Sequence, residues 1–252
     1  MKPYRSLEYT CKVFETLQVL LELQQMVSMD AEAKTWEAHQ KLNEHYGIQE
    51  IYGRRDPMHE LIGTILSHRT TFADEKRAYE AMRERFGSWE AIRDAPLPDL
   101  IDTLRPVRYP EVKAPYIQQV LTRIIAERGE ANIDFLDAFS TEDALQWLTS
   151  LPGVGPKTST LLLLFTFEKP VLPVDTHVHR VAQRVGLIGP KVSAEKAHGL
   201  LLSYLPPDAK ELFNFHKHFY WHGQRVCTWQ APRCGECVLR KMCDFYRSRT
   251  EG

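Results

Sequence analysis

The sequence predicts an all-α protein on three observations. Apolar residues recur at helical spacing along most of the chain, strand-like alternation of useful length is absent, and Gly or Pro punctuates the helical patterns. At 252 residues, with 43% apolar content, the chain has ample core for one large or two medium domains and is not of disordered composition. It carries no internal repeat and no low-complexity segment.

Residues 1–29 predict an amphipathic helix, with Val13, Phe14, Leu17, Leu20 and Leu21 as its stripe. A second pattern runs from Asp30 to Tyr46 and stops at Gly47. Asp56-Pro57 opens a helix with Leu61, Ile62, Ile65 and Leu66 on its apolar side, ending at Ser67-His68-Arg69-Thr70-Thr71. The next helix spans about Asp74 to Phe86 and closes at Gly87. Short helices are expected over 88–95 and 98–104, then a loop from Leu104 to Pro110. A long helix follows from Lys113 to Arg128. Asp143 to Ser150 is helical through Leu145 and Leu148, and Leu151-Pro152-Gly153-Val154-Gly155 is a tight turn. Pro156 suits the first position of a helix whose run Leu161–Phe167 is apolar nearly all round, so that helix should be buried. The run is too short to span a bilayer. Asp175 stands at the N-cap of a helix over Thr176–Arg184.

The turn between the 143–150 and 156–167 patterns reads as a helix–hairpin–helix. Gly153 and Gly155 let backbone approach a phosphate, and N–H groups at the second helix start can bind its oxygens. An ordinary αα-hairpin fits the turn alone equally well. Lys157 lies in the first turn, where the positive end of the helix dipole disfavours an extra proton. Cys227, Cys234, Cys237 and Cys243 are spaced C-x6-C-x2-C-x5-C. No signal peptide is evident at the N-terminus, so a reducing, cytosolic compartment is expected, where clustered cysteines bind metal rather than pair. Their spacing suits either a 4Fe–4S cluster or tetrahedral zinc. Cys11 stands alone as a semi-buried thiol. The net charge is −1, so any nucleic-acid partner must meet local rather than global positive charge. Near the C-terminus Arg225, Arg233, Arg240, Lys241, Arg247 and Arg249 outnumber Glu236 and Asp244.

Taken together, LPGVGPK, Val174-Asp175-Thr176-His177 and the cysteine spacing resemble the endonuclease III family of DNA-repair glycosylases, over roughly residues 40 to 246. The resemblance implies a helix-hairpin-helix glycosylase fold. A helical barrel would occupy residues 50–169. A second domain, 30–49 with 170–246, would carry a structural 4Fe–4S cluster on the four cysteines. Residues 1–29 would be an extension and 247–252 a tail. It implies a monomeric, nucleoid-associated bacterial enzyme acting on double-stranded DNA with damaged bases or abasic sites, and no membrane. Lys157 and Asp175 match the catalytic pair, so combined glycosylase and lyase activity is expected, on oxidised pyrimidines. An extruded nucleotide would meet them in a pocket. Asp175 would stabilise charge on the sugar, and the N–H donors of a capped helix suit it to that role rather than to proton abstraction.

Arg69 stands where the family commonly inserts Gln beside an orphaned base, and Phe72 where it has Asp. Val107 and Arg108 replace the residues before a wedge tyrosine, here Tyr109, in a loop one residue longer. His177 is a candidate DNA contact, His179 is structural, and Arg233, Arg240 and Lys241 are candidates on the cluster loop. Ile65 occupies the position of the catalytic Glu of adenine-specific relatives, which disfavours that activity. The departures, with the near-neutral charge, leave one alternative of another class: a DNA-damage-binding protein on the same scaffold with weak or no turnover.

Overall fold

The computed structural model describes residues 30–51 and 56–250. The expected helix over 1–29, with Cys11, lies outside the described residues. Within them the chain is helical and no strand occurs. The first helix, α1, occupies 30–46 and stops at Gly47, whose φ of 75° only glycine adopts without cost. Helix α2 (Pro57–Ser67) starts where Asp56 accepts the His59 N–H at 2.8 Å. Helix α3 (Phe72–Phe86) is capped by Thr71 and Gly87. Short α4 (Trp89–Asp94) and α5 (Leu97–Thr103) lead to α6 (Pro110–Arg128).

Three helix starts differ from the sequence reading by two residues or more, among them the helix expected from Asp143, which begins at Thr141 behind a Ser140 cap. Helix α3 begins at Phe72 rather than Asp74, because Thr71 accepts the Asp74 N–H. Helix α6 begins at Pro110 rather than Lys113, so Pro110 leaves the expected loop. Its N-cap is Tyr109 in the left-handed conformation with no side-chain cap, so Pro110 at the first helical position is the one start signal in the sequence.

Helix α7 (Thr141–Thr149) and helix α8 (Pro156–Phe167) form the hairpin. As expected, α8 is buried nearly all round, from Thr158 to Phe167 with only Leu161 partly open. It packs on α2 and α7. Helix α9 (Thr176–Val185) lies against α11 (Ala209–Arg225), with α10 (Ala194–Leu202) beside it. Two 3-10 turns, Cys234–Glu236 and Arg240–Met242, precede α12 (Asp244–Thr250), which takes up residues 247–250 of the expected tail. One hydrophobic core runs from Ala38 and Leu42 through α2, α6 and α8 to Phe213, Phe215 and Phe219 of α11. Phe165 of α8 meets Phe213 with ring centroids 4.9 Å apart, joining the two groups of helices. No helix among the described residues is long and apolar enough to cross a membrane.

Under α1 and α11 lies a layer of buried histidines. His218 Nδ1 is 2.9 Å from Asn43 Oδ1, and His39 Nε2 is 2.7 Å from Glu211. The other nitrogen of each ring is buried without a hydrogen-bond partner. A proton placed there would be an unsatisfied buried charge. Burial, with the charge of His39, accordingly pushes His218 down to about 4, and burial also pushes His222 to about 4. A histidine whose folded-state pKa is depressed costs stability once pH falls below its unfolded value near 6.5. Urea unfolding should therefore show stability falling between pH 6.5 and 4, by up to about 1.4 kcal/mol per pH unit for each such histidine. A flat profile across that window would refute this.

Candidate functional site

The hairpin turn sets the floor of a cleft of about 750 Å³. Gly153 has φ 73°, and a Cβ there would lie 2.8 Å from the Tyr116 ring. Both the conformation and the space therefore demand glycine. Gly155 is different. Its backbone is extended, and a Cβ would meet nothing within 4 Å. Helix α8 also lacks a side-chain cap, so no side chain takes up the N–H groups of its first turn. Gly155 keeps that helix end open to an anion.

Lys157, Asp175 and His177 line the cleft, with Arg69, Tyr109 and Gly153 across from or beside them. Arg108, Gly155 and Arg233 are not among its lining residues. Lys157 is half-buried, and its Nζ has no hydrogen-bond partner among the described residues. Burial draws its ammonium below the ordinary lysine value, and the Asp175 carboxylate partly offsets this. Asp175 caps α9, with Oδ1 accepting from His177 N at 2.9 Å and Val178 N at 2.8 Å. No cap bond engages its second oxygen, and the residue lines the cleft. Capping and a second task are thus compatible in one carboxylate.

The opposite rim is formed by the α2–α3 and α5–α6 loops. Arg69 (φ 53°) and Tyr109 (φ 60°) both adopt the left-handed conformation that non-glycine residues rarely take, and both line the cleft. Phe72 is 80% exposed at the cleft mouth, beside half-open Tyr109 and Val112. The Arg108 backbone N–H donates to Thr70 Oγ1 at 3.2 Å. Sequence reasoning passed over Lys113, the second lysine of the cleft. It is only 5% exposed, and its Nζ donates to Leu66 O, His68 O and Thr70 Oγ1 at 2.6, 2.8 and 2.9 Å. Desolvation lowers it to about 8. His68, near Thr158 Oγ1 at 3.3 Å, and Tyr220 with its Gln224 partner were also missed. Lys113 and His68 are set in place by residues far away in sequence, so no local pattern marks them, whereas Tyr220 meets its partner one helical turn on.

Residues 62–207 match the model of the HhH-GPD superfamily base excision DNA repair proteins. An endonuclease III of Thermotoga maritima is 34% identical over 197 residues, covering 78% of this chain and 87% of that protein. The chain belongs to the HhH-GPD superfamily. An endonuclease III of Sulfolobus acidocaldarius is 28% identical over 218 residues, covering 82% of this chain and 94% of that protein. Among solved structures, a trapped covalent intermediate of endonuclease III with DNA superposes with a TM-score of 0.74 at 23% identity, over 86% of this chain and 98% of that one. That likeness carries the fold.

Within this HhH-GPD chain the back wall of the cleft is tied to the cysteine loop. Gly223 of α11 sits where a Cβ would lie 2.8 Å from His177 Cβ, so α9 and α11 meet almost backbone to backbone. Arg180 donates to Gly223 O at 2.7 Å and to Cys227 O at 2.9 Å, and its Nη2 lies 3.0 Å from His177 Nδ1. His177 is thereby a wall residue held in one orientation. His179 reaches Val192 O at 2.8 Å, a structural contact as expected. Arg184 reaches Cys227 Sγ at 3.4 Å, and His222 Nε2 lies 3.3 Å from Cys237 Sγ. The four cysteines are unpaired. Burial and the other three thiols push Cys237 up to about 11. Among the described residues no group of three or more His, Cys, Asp or Glu is arranged to hold a metal ion. Arg233 is exposed to solvent and is held by Glu236 and the Arg225 carbonyl.

The two hairpin glycines should separate experimentally. Gly153→Ala should lower stability by about 1–3 kcal/mol, the usual cost of forcing a side chain into such a backbone. Gly155→Ala should leave thermal unfolding nearly unchanged and weaken binding to duplex DNA. Equal effects of the two on unfolding would contradict this division.

Proposed function

We propose that this cleft excises damaged bases from duplex DNA and then cuts the strand at the abasic site, with Lys157 as nucleophile and Asp175 as charge stabiliser. The observation that carries this reading is the desolvated, partnerless Nζ of Lys157 in one cleft with the Asp175 carboxylate. A free lone pair is needed for attack, and only one of the cleft's two lysines offers it. Lys113 spends its three N–H bonds on three acceptors.

Nζ of Lys157 attacks C1′, a carbon–nitrogen bond forms, and the glycosidic bond breaks with its electron pair leaving on the base. The leaving base takes up a proton. Asp175 stabilises the positive charge that develops on the sugar. Ring opening yields a Schiff base that acidifies the C2′ proton. Its removal expels the 3′ phosphate by β-elimination. Resemblance to endonuclease III supports oxidised pyrimidines as the lesion class. DNA would lie between the 50–169 barrel and the 30–49 plus 170–246 unit, its phosphates meeting the open start of α8.

The four cysteines are proposed to hold a 4Fe–4S cluster. The four cysteines lie within seventeen residues, and burial with the neighbouring cysteines pushes the thiols of Cys237 and Cys243 up, a cost that a cationic centre would offset. Arg184 donates to the sulphur of Cys227, and His222 Nε2 lies beside that of Cys237. The cluster would supply structure, holding the loop that Arg180 and Arg184 tie to α9. The purified protein should contain iron and sulphide and absorb broadly in the visible. Stoichiometric zinc without iron after anaerobic purification would reverse the assignment.

Borohydride should trap a covalent adduct between wild-type protein and a duplex with an abasic site. Lys157→Gln should abolish the adduct while leaving binding nearly intact. Asp175→Asn should depress base excision by up to about 3–4 kcal/mol of lost charge stabilisation, yet permit some trapping at a preformed abasic site. Trapping by wild type should rise with pH as Lys157 deprotonates, and level off below the ordinary lysine value. Since Asp175 raises the Lys157 pKa, Asp175→Asn should reach its plateau at lower pH. Absence of any wild-type adduct would favour a damage-binding protein without turnover.

A further inference from the structure

We propose that Lys113 is a positioning residue, which holds the Arg69 loop and the Tyr109 loop together in the shape that enters the duplex. The proposal rests on the reading of the cleft as a DNA-repair site. Lys113 is buried at the start of α6, and both its amine and its backbone N–H are engaged. Its backbone N–H donates to Tyr109 O at 3.1 Å. Its Nζ donates to Leu66 O and His68 O, then reaches Thr70 Oγ1. Leu66 O is one of the last carbonyls of α2, which the helix itself leaves unpaired, and a cation at that end also suits the dipole. Arg69 therefore lies between two residues that the same ammonium grips.

The grip extends to the second loop. Thr70 Oγ1, already bound by Lys113, also accepts the Arg108 N–H, next to Tyr109. The two left-handed residues of the cleft thus stand on two loops joined through one side chain. Neither Arg69 nor Tyr109 has a glycine's freedom, so each conformation persists only because its surroundings hold it. Glu75 of α3, which also lines the cleft, places a counter-charge near the amine. Three donated hydrogen bonds leave Lys113 no lone pair for the sugar, which separates it from Lys157. Its task is to present the loops, not to react.

Loop insertion matters most when a stacked, paired base must be extruded, and least where the base is already gone. Lys113→Met should therefore slow excision of a paired damaged base by about tenfold or more, the size expected for losing hydrogen bonds to a charged group. Strand cleavage and borohydride trapping at a preformed abasic site should change far less. Lys113→Arg should restore part of the loss. A duplex with 2-aminopurine next to the abasic site reads the loops without turnover: fluorescence should rise on binding wild type and rise less with Lys113→Met. If Lys113→Met fails to fold, Thr70→Val removes the shared hydroxyl and should produce the same split, smaller. Equal loss on both substrates, no loss on either, or an unchanged fluorescence response would overturn the proposal. A wild type that forms no adduct would instead defeat the repair reading, while the fluorescence comparison would still decide the role of Lys113.

Discussion

The burial of α8 is the constraint on which the site depends. A helix enclosed on nearly every side cannot slide or rotate without opening cavities in the core it shares with α2, α7 and α11. Its first turn is consequently fixed relative to the rest of the molecule. Lys157 emerges from that turn into the cleft, half-buried and stripped of hydrogen-bond partners. Thr158 beside it meets His68 of the rim. The open start of the same helix, beneath Gly155, is the natural seat for a phosphate. One packed helix thus places both the proposed nucleophile and an uncapped helix start.

The second catalytic candidate is held by a different device. Asp175 belongs to the cap of α9, and α9 is pressed to α11 through Gly223, where any larger residue would strike His177. Arg180 then extends the same helix to Cys227, and Arg184 to the sulphur and the carbonyls beyond it. The cysteine loop is therefore mechanically continuous with the end of α9 that carries the carboxylate. A structural cluster in that loop would stiffen the helix behind Asp175 without touching a reacting atom. The near-neutral overall charge is no obstacle, because the cleft draws on placed cations and helix-end donors.

Much of the site was legible because its signals are local. The Asp56-Pro57 and Asp175 caps, Gly47, Gly87 and the apolar run of α8 each act through residues a few positions away. The left-handed backbone at the start of α6 was not legible: Pro110 marks a first helical position, but Tyr109 carries no capping side chain and nothing announces its positive φ. Helix α11 hides for another reason. Its buried face is built from Asn214, His216, His218 and His222 as well as Phe, so polar letters occupy core positions. Arg108 and Arg233 read as contacts from charge and position, yet the fold keeps both out of the cleft lining.

By itself the sequence determined the helical class, the hairpin turn and the closely spaced cysteines, since each rests on residue types at short, fixed spacing. Tertiary structure alone decided which lysine of the cleft has its amine engaged in hydrogen bonds. Lys113 and Lys157 are the same chemical group, and both are desolvated in the same cleft. They differ in what folding brings to them: carbonyls and a hydroxyl from more than forty positions away for Lys113, and the Asp175 charge without a hydrogen bond for Lys157. Hydrogen-bond acceptors supplied across such distances leave no trace in local spacing, because only the packing of α2, α3 and α6 brings them to one point.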